Sequence, residues 1–169
     1  MTKNAVMVTG AASGIGCSCA RDLLTDGVSV VAADIGDIPV ALMEAGDCWV
    51  QPFDVSSPDA CKSAVSEACD KFGGLSALIH FAGIHRTKTW EEVDADDFAR
   101  VMAVNVTGSF LIAQAAAETM RETGGAIVLT ASGGVEFGGV GDDGRDGPAY
   151  TSSKAAMRGL TRSLARSSR

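Results

Sequence analysis

The stretch AVMVTGAASGIG, Ala5 to Gly16, decides how the rest of the chain is read. Ala5 to Val8 are apolar, Thr9-Gly10 ends the run, Gly14 and Gly16 come next, and helix-forming sequence resumes at Cys17. A strand, a glycine-rich turn and a helix start are predicted. Such a turn aims backbone N–H groups and the positive end of a helix at one point, where a phosphate can sit. Within it, Gly10 makes the tight turn, Gly14 lets the backbone approach a pyrophosphate, and Gly16 lets helix and strand pack closely. The spacing is GxxxGxG, and a glycine turn of this kind also serves as a plain connection. Residues further along the chain decide between the two.

A length of 169 residues suits one domain, residues 1–169, with room for a sizeable core. Hydrophobic residues make up 46% and charged residues 21%, the composition of an ordinary globular chain. A net charge of -7 argues against nucleic acid or an anionic membrane as partner. Cys17, Cys19, Cys48, Cys61 and Cys69 form no CxxC pair, and with only His80 and His85 beside them no zinc pattern assembles. They read as small buried or surface residues in a reducing compartment. No secretory signal is visible, no stretch reads as long enough to span a membrane, and a cytoplasmic location is expected.

Apolar runs alternate with helical patterns, which predicts βαβ units and a parallel sheet. Strands are expected at Ala5 to Val8, Val28 to Ala33, Cys48 to Phe53, Leu75 to Phe81 and Ala126 to Thr130. A helix from about Gly16 to Asp26 stops at Gly27. Ser57 and Pro58 open another, as N-cap and first helical residue, with Cys61, Val65, Ala68 and Phe72 as its buried stripe. Trp90 to Val104 is expected to be an amphipathic helix, interrupted at Asn105-Val106-Thr107-Gly108. An apolar helix then runs from Ser109 to about Arg121. On spacing alone Asn105 reads as a solvated or capping residue. Gly133 to Gly147 holds seven glycines and reads as a loop, and Pro148 starts a helix carrying Tyr150 and Lys154.

Asp34 closes the second strand, eighteen positions after Gly16, near where a carboxylate reads an adenine ribose. Such a carboxylate accepts from both ribose hydroxyls and repels a 2′-phosphate. The neighbouring Ile35, Gly36 and Ser13 offer no cation to welcome that phosphate. The competing reading is a strand-end Asp that caps a turn.

Taken in order, TGAASGIG, Asp34, Asp54-Val55, Ala82-Gly83, Asn105-Val106-Thr107-Gly108, Ser132 and Tyr150-Thr151-Ser152-Ser153-Lys154 resemble the short-chain dehydrogenase/reductase family in its single-domain form. The resemblance implies a doubly wound, Rossmann-like α/β fold and hydride transfer between NAD(H) and a small-molecule alcohol or ketone. It implies a catalytic set of Asn105, Ser132, Tyr150 and Lys154. A phenol, with a reference pKa of about 10, is a poor base at neutral pH, but an adjacent ammonium and a cationic nicotinamide favour phenolate. Tyr150 would exchange the proton, Ser132 would hold the substrate oxygen, and Lys154 would also bind the nicotinamide ribose. Asn105 would hold a water that links Lys154 to solvent. Cofactor contacts are implied for Gly10, Ser13, Gly14, Ile15, Gly16, Asp34, Ile35, Asp54, Val55, Phe81, Ala82, Gly83, Tyr150 and Lys154. NAD is expected over NADP because of Asp34. A homo-oligomer is implied, paired through the helices of Asn105 and Tyr150.

Three departures qualify the resemblance. His80-Phe81 stands where the family carries Asn before Ala82-Gly83, and His80 reads as a buried strand residue. The loop from Ser132 to Tyr150 is longer than usual and could form part of a substrate lid or displace Ser132. About five strands are counted where the fold has six, so the chain reads as truncated at its C-terminus and the edge of strand five as open. The alternative function is therefore a catalytically weak or inactive dinucleotide-binding domain. A sugar-nucleotide epimerase is a third reading, disfavoured because those relatives carry TGxxGxxG.

Overall fold

β1 (Ala5–Thr9) is buried at all five positions, and the other strands are laid out on either side of it. The computed structural model describes residues 4–86, 88–138 and 147–167. Its sheet is wholly parallel, with five strands in the order β3-β2-β1-β4-β5. β2 is Val30–Asp34, β3 Cys48–Pro52, β4 Leu75–His80 and β5 Ala126–Leu129. The expected doubly wound α/β architecture is present. Chain order reverses at β1: the chain first builds out through β2 and β3, then returns to β4 on the other side of β1.

Alternation along the strands divides the core into two. Val6, Val8, Val30 and Ala32 face α1 (Gly14–Thr25), with Cys17, Ala20 and Leu24 packed on them. Met7, Val31 and Leu78 face the opposite layer, where α3 (Pro58–Phe72) contributes Cys61, Val65 and Ala68. Ile112, Ala113 and Ala116 come from α5 (Ser109–Thr119). Leu78, Ile112 and Met7 are fully buried, each contributing about 1.5–3 kcal/mol of transfer free energy. A sheet covered on both faces explains why β1 and β2 read as unbroken apolar runs.

The α3 caps match the sequence reading. The Ser57 hydroxyl accepts from the Ala60 N–H, Pro58 stands at the first helical position, and Gly73 closes the helix at φ 82. Other boundaries moved. β2 begins two residues after Val28, because the Val28 N–H is bonded back to Leu23 at the end of α1 and the Ser29 hydroxyl is bonded to Asp47. A short α2 (Val40–Met43) was not expected, since four residues carry no readable period.

α4 spans Ala95–Met102, not Trp90 onward. The Asp94 carboxylate accepts from the Asp97 N–H at 2.7 Å and fixes the start there, while Thr89 to Val93 form a turn. The expected interruption of the α-helical pattern at Asn105 to Gly108 is present, without a break in the helix. The chain continues as a π-helical turn, Ala103–Gly108, straight into α5. The joined helix, Ala95–Thr119, is long and apolar enough by length and composition to cross a membrane, which corrects the sequence reading. Here it is packed into the core through Val101, Val104, Asn105 and Ile112.

α6 (Pro148–Ser167) opens with Pro148 as expected. Ser132 caps a 3-10 turn, Gly133–Glu136, within the expected loop. Residues 139–146, on which the lid reading chiefly falls, lie outside the described residues. Among the described residues β5 pairs with β4 alone and stands at the edge of the sheet, and its Val128 is 49% exposed on the sheet's face.

Candidate active site

A groove of about 380 Å³ runs across the C-terminal ends of the strands at the point where chain order reverses. Parallel α/β sheets bind ligands at that position, and the volume lies in the range of small-molecule sites. Gly16 builds its floor: a Cβ there would overlap the Gly10 carbonyl oxygen, so only glycine lets α1 start so close to β1. Gly10 turns the chain at φ +75 and lies against the backbone of Phe81 and Ala82, where a Cβ would meet Ala82 N at 2.8 Å. Gly14, at φ +53, has open space where a Cβ would project. The N-terminal end of α1 thus faces the groove with nothing above Gly14, the arrangement an anion needs.

At one end of the groove stands Asp34. Its Oδ2 accepts from the Ala12 N–H and its Oδ1 from the Gly36 N–H, each at 2.9 Å. The turn-capping reading is thus correct, yet each oxygen keeps a further lone pair for a hydroxyl donor. Ile15 and Ile35, 69% and 74% exposed, offer flat apolar walls beside it. Asp54 is held below the usual carboxylate range by the hydroxyl and N–H of Ser56, with Arg100 assisting at 3.6 Å.

At the other end stand Tyr150 and Lys154, one turn apart on α6. The Lys154 Nζ lies 5.8 Å from the Tyr150 ring centroid and donates to the Thr130 carbonyl at 3.0 Å. Burial pushes the Lys154 ammonium below its ordinary pKa. The His85 ring packs against that of Tyr150, 4.5 Å between centroids.

Behind this pair lies Asn105, which is 1% exposed and hence not solvated as its spacing suggested. Its Oδ1 accepts from the Ile84 N–H at 2.8 Å, while Nδ2 donates to the Ile84 carbonyl and to Ser153 Oγ, both at 3.0 Å. It sits in the π turn, whose widened backbone points side chains where a regular helix could not. Ser132 is half-buried, and its Oγ accepts from the Gly134 N–H at 3.2 Å. All fourteen residues expected to contact a cofactor line the one groove, whereas Asn105 and Ser132 do not.

His80 stands where the Asn was expected. It is 2% exposed, and its Nδ1 shares a 2.7 Å hydrogen bond with Thr9 Oγ1, so it ties β4 to β1. Burial, and secondarily the charge of Lys154, lower its pKa to about 4.

The profile of short chain dehydrogenases matches residues 4–169. The chain belongs to that family. An uncharacterized oxidoreductase of Thermotoga maritima is 38% identical over 95% of this chain and 64% of its own length. A 3-alpha-(or 20-beta)-hydroxysteroid dehydrogenase of Mycobacterium bovis is 36% identical over 94% and 61%. A cis-4-hydroxycyclohexanecarboxylate dehydrogenase of Sinomonas cyclohexanicum is 36% identical over 94% and 65%. The chain therefore spans somewhat under two thirds of the length of these relatives. The crystal structure of NADH-dependent reductase A1-R′ complexed with NAD superposes with a TM-score of 0.85 at 24% identity, over 98% of this chain and 73% of that one. The family fold is present over the whole described chain.

Arg100 and Thr130 line the groove and were not singled out from the sequence. Thr130 is the last residue of an expected strand, and the strand-end position that singled out Asp34 would have singled it out as well. Arg100 has no such signal, because its place depends on how α4 docks beside Asp54.

Proposed function

We propose that this chain holds NAD(H) and acts as an oxidoreductase that interconverts a secondary alcohol and a ketone. The observation that carries the reading is one groove with Asp34 at one end and the Tyr150–Lys154 pair at the other, bridged by the open N-terminus of α1. The residues fit a dinucleotide: free acceptor positions on Asp34 for ribose hydroxyls, unobstructed backbone at Gly14 for phosphates, and a buried ammonium at the far end. The absence of a cation at Ile35 and Gly36 favours NAD over NADP.

Bound there, the nicotinamide supplies the hydride acceptor or donor. Tyr150 exchanges a proton with the substrate oxygen. Lys154 holds ribose hydroxyls and places positive charge 5.8 Å from the phenol ring, which favours a developing phenolate. Asn105 and Lys154 both flank Gly83, and Asn105 is the group through which a water would connect the ammonium to solvent. Ser132 is assigned to the substrate oxygen, where its hydroxyl would steady developing charge. The named relatives point to hydroxysteroids and hydroxycycloalkane acids as the first alcohols to test.

Calorimetry with NAD and NADP, beside turnover with such alcohols, tests the reading. Tyr150→Phe should bind NAD as the parent does and lose turnover. Retained turnover in that variant would end the assigned mechanism. A second reading, dinucleotide binding without turnover, is favoured by the placing of Ser132 outside the groove lining, although its hydroxyl, which accepts from the Gly134 N–H, keeps its own proton free to donate. Binding with no turnover would select it. Cytoplasmic residence fits five free cysteines. A homo-oligomer would pair through α4–α5 and α6, where Phe98 and Phe110 are 37% and 38% exposed, and a monomer by light scattering would reject that.

A further inference from the structure

We propose that Thr130 is a positioning residue that anchors the Lys154 ammonium. This rests on the reading above, in which Lys154 works beside Tyr150. The β4–β5 ladder ends at the His80–Leu129 pair, so Thr130 lies one residue beyond the last rung. Its carbonyl nevertheless has a fixed direction, because the Thr130 hydroxyl donates to the His80 carbonyl at 2.8 Å and stands in for one more rung. His80 is itself fixed, buried at the end of β4 and bonded through its ring to Thr9. Thr9 Oγ1 in turn accepts from the Ala82 N–H in the groove floor at 3.4 Å. The Thr130 carbonyl, held by this chain of bonds, accepts from Lys154 Nζ at 3.0 Å.

A lysine head on four rotatable carbons sweeps a wide volume unless something holds it. Main-chain atoms at the end of a regular ladder are a rigid holder, and those one residue past it are not unless a side chain restores the rung. Thr130 supplies both parts, a hydroxyl that restores the rung and the carbonyl that takes the ammonium. Valine has the same shape and lacks only the hydroxyl, so the bond to His80 can be removed with little change in packing.

Competitive labelling of the full chain with trace acetic anhydride, without any cofactor, tests the anchor. The readout is acetylation of the peptide that carries Lys154, relative to those carrying Lys62 and Lys71 on the exposed side of α3. Thr130→Val should label Lys154 about fivefold faster than the parent, the effect of losing one ordinary hydrogen bond, and Thr130→Ser should restore the parent rate. Lys62 and Lys71, already exposed, should not change and serve as internal standards, while an unchanged thermal midpoint of the variant separates loss of the anchor from general loosening. Thr130→Ala gives the same reading should the valine variant fail to fold. Equal Lys154 labelling in parent, Thr130→Val and Thr130→Ala, or a rise that comes with a lowered thermal midpoint, would overturn the proposal. Absence of NAD binding and turnover in the parent would instead sink the functional reading and leave the labelling result standing.

Discussion

Asn105 and Ser153, forty-eight residues apart, meet through a 3.0 Å hydrogen bond that ties the long central helix to the helix bearing Tyr150 and Lys154. Ser153 is fully buried and passes the link on by donating to the Tyr150 carbonyl at 2.7 Å. Replacing Asn105 by Ala strips partners from Ile84 N–H, Ile84 carbonyl and Ser153 Oγ at once. Buried polar groups left unpaired carry their full desolvation cost, so a loss of about 2–4 kcal/mol is expected. Urea melts of parent and Asn105→Ala measure it, and an unchanged midpoint would show that water replaces the amide.

Asp34 serves two tasks, capping the turn through Ala12 and Gly36 and setting cofactor preference. Asp34→Ala should narrow the NAD-to-NADP affinity ratio by about tenfold, the worth of one charge-assisted hydrogen bond. It should also lower thermal stability slightly, because two backbone N–H groups lose their acceptor. Calorimetry with both dinucleotides reads the first effect and a thermal melt the second. A ratio that stays constant would remove Asp34 from cofactor selection.

The two glycines at the start of α1 predict opposite failures. Gly16→Ala forces a methyl into the Gly10 carbonyl, and because both atoms belong to backbone the site cannot relax. This variant should be destabilised by more than about 3 kcal/mol, as in the severe class of overpacked sites. Gly14→Ala meets nothing and carries only the strain of φ +53, about 1–2 kcal/mol. It should fold and bind dinucleotide poorly, since the methyl occupies the groove. Circular dichroism paired with calorimetry separates the two, and tight binding by Gly14→Ala would refute the phosphate site.

His80 predicts a pH dependence. Its pKa falls from an ordinary 6.5 to about 4 on folding, first through burial and then through Lys154. Between those values the unfolded chain takes up a proton that the folded one refuses. Stability is therefore whole above about pH 6.5 and drains as pH falls toward 4, by up to roughly 3 kcal/mol. Carboxylates such as Asp54 add a loss of the same sign at lower pH. The test is the difference in unfolding free energy between parent and His80→Gln at pH 7 and pH 4.5. A parent that falls no further than the variant would contradict a neutral, buried ring.

The expected five-strand sheet, the α3 caps and most of the residues that line the groove were legible along the chain. Local signals suffice for these: glycines that forbid a Cβ, apolar runs covered on both faces, and polar residues at strand ends. Asn105 was legible as a motif residue and illegible as a packed one. Its polar environment is supplied by Ile84 and Ser153, which lie far away in sequence. The start of α4 was missed because Asp94 outcompetes an apolar pattern that begins earlier, at Trp90.

By itself the sequence determined which strand ends would carry Asp34, Asp54 and the glycine turn, and that Tyr150 and Lys154 would share one helical face. Those are short-range matters of backbone sterics and helical period. Only the tertiary structure decided that Thr130 and Arg100 would enter the same groove, and that Ser132 would stand outside its lining. It alone linked His80 to Lys154 through Thr130, whose hydroxyl donates to the one and whose carbonyl accepts from the other. Such relations depend on where separate elements dock, and docking is set by packing across the whole sheet, which no local pattern encodes.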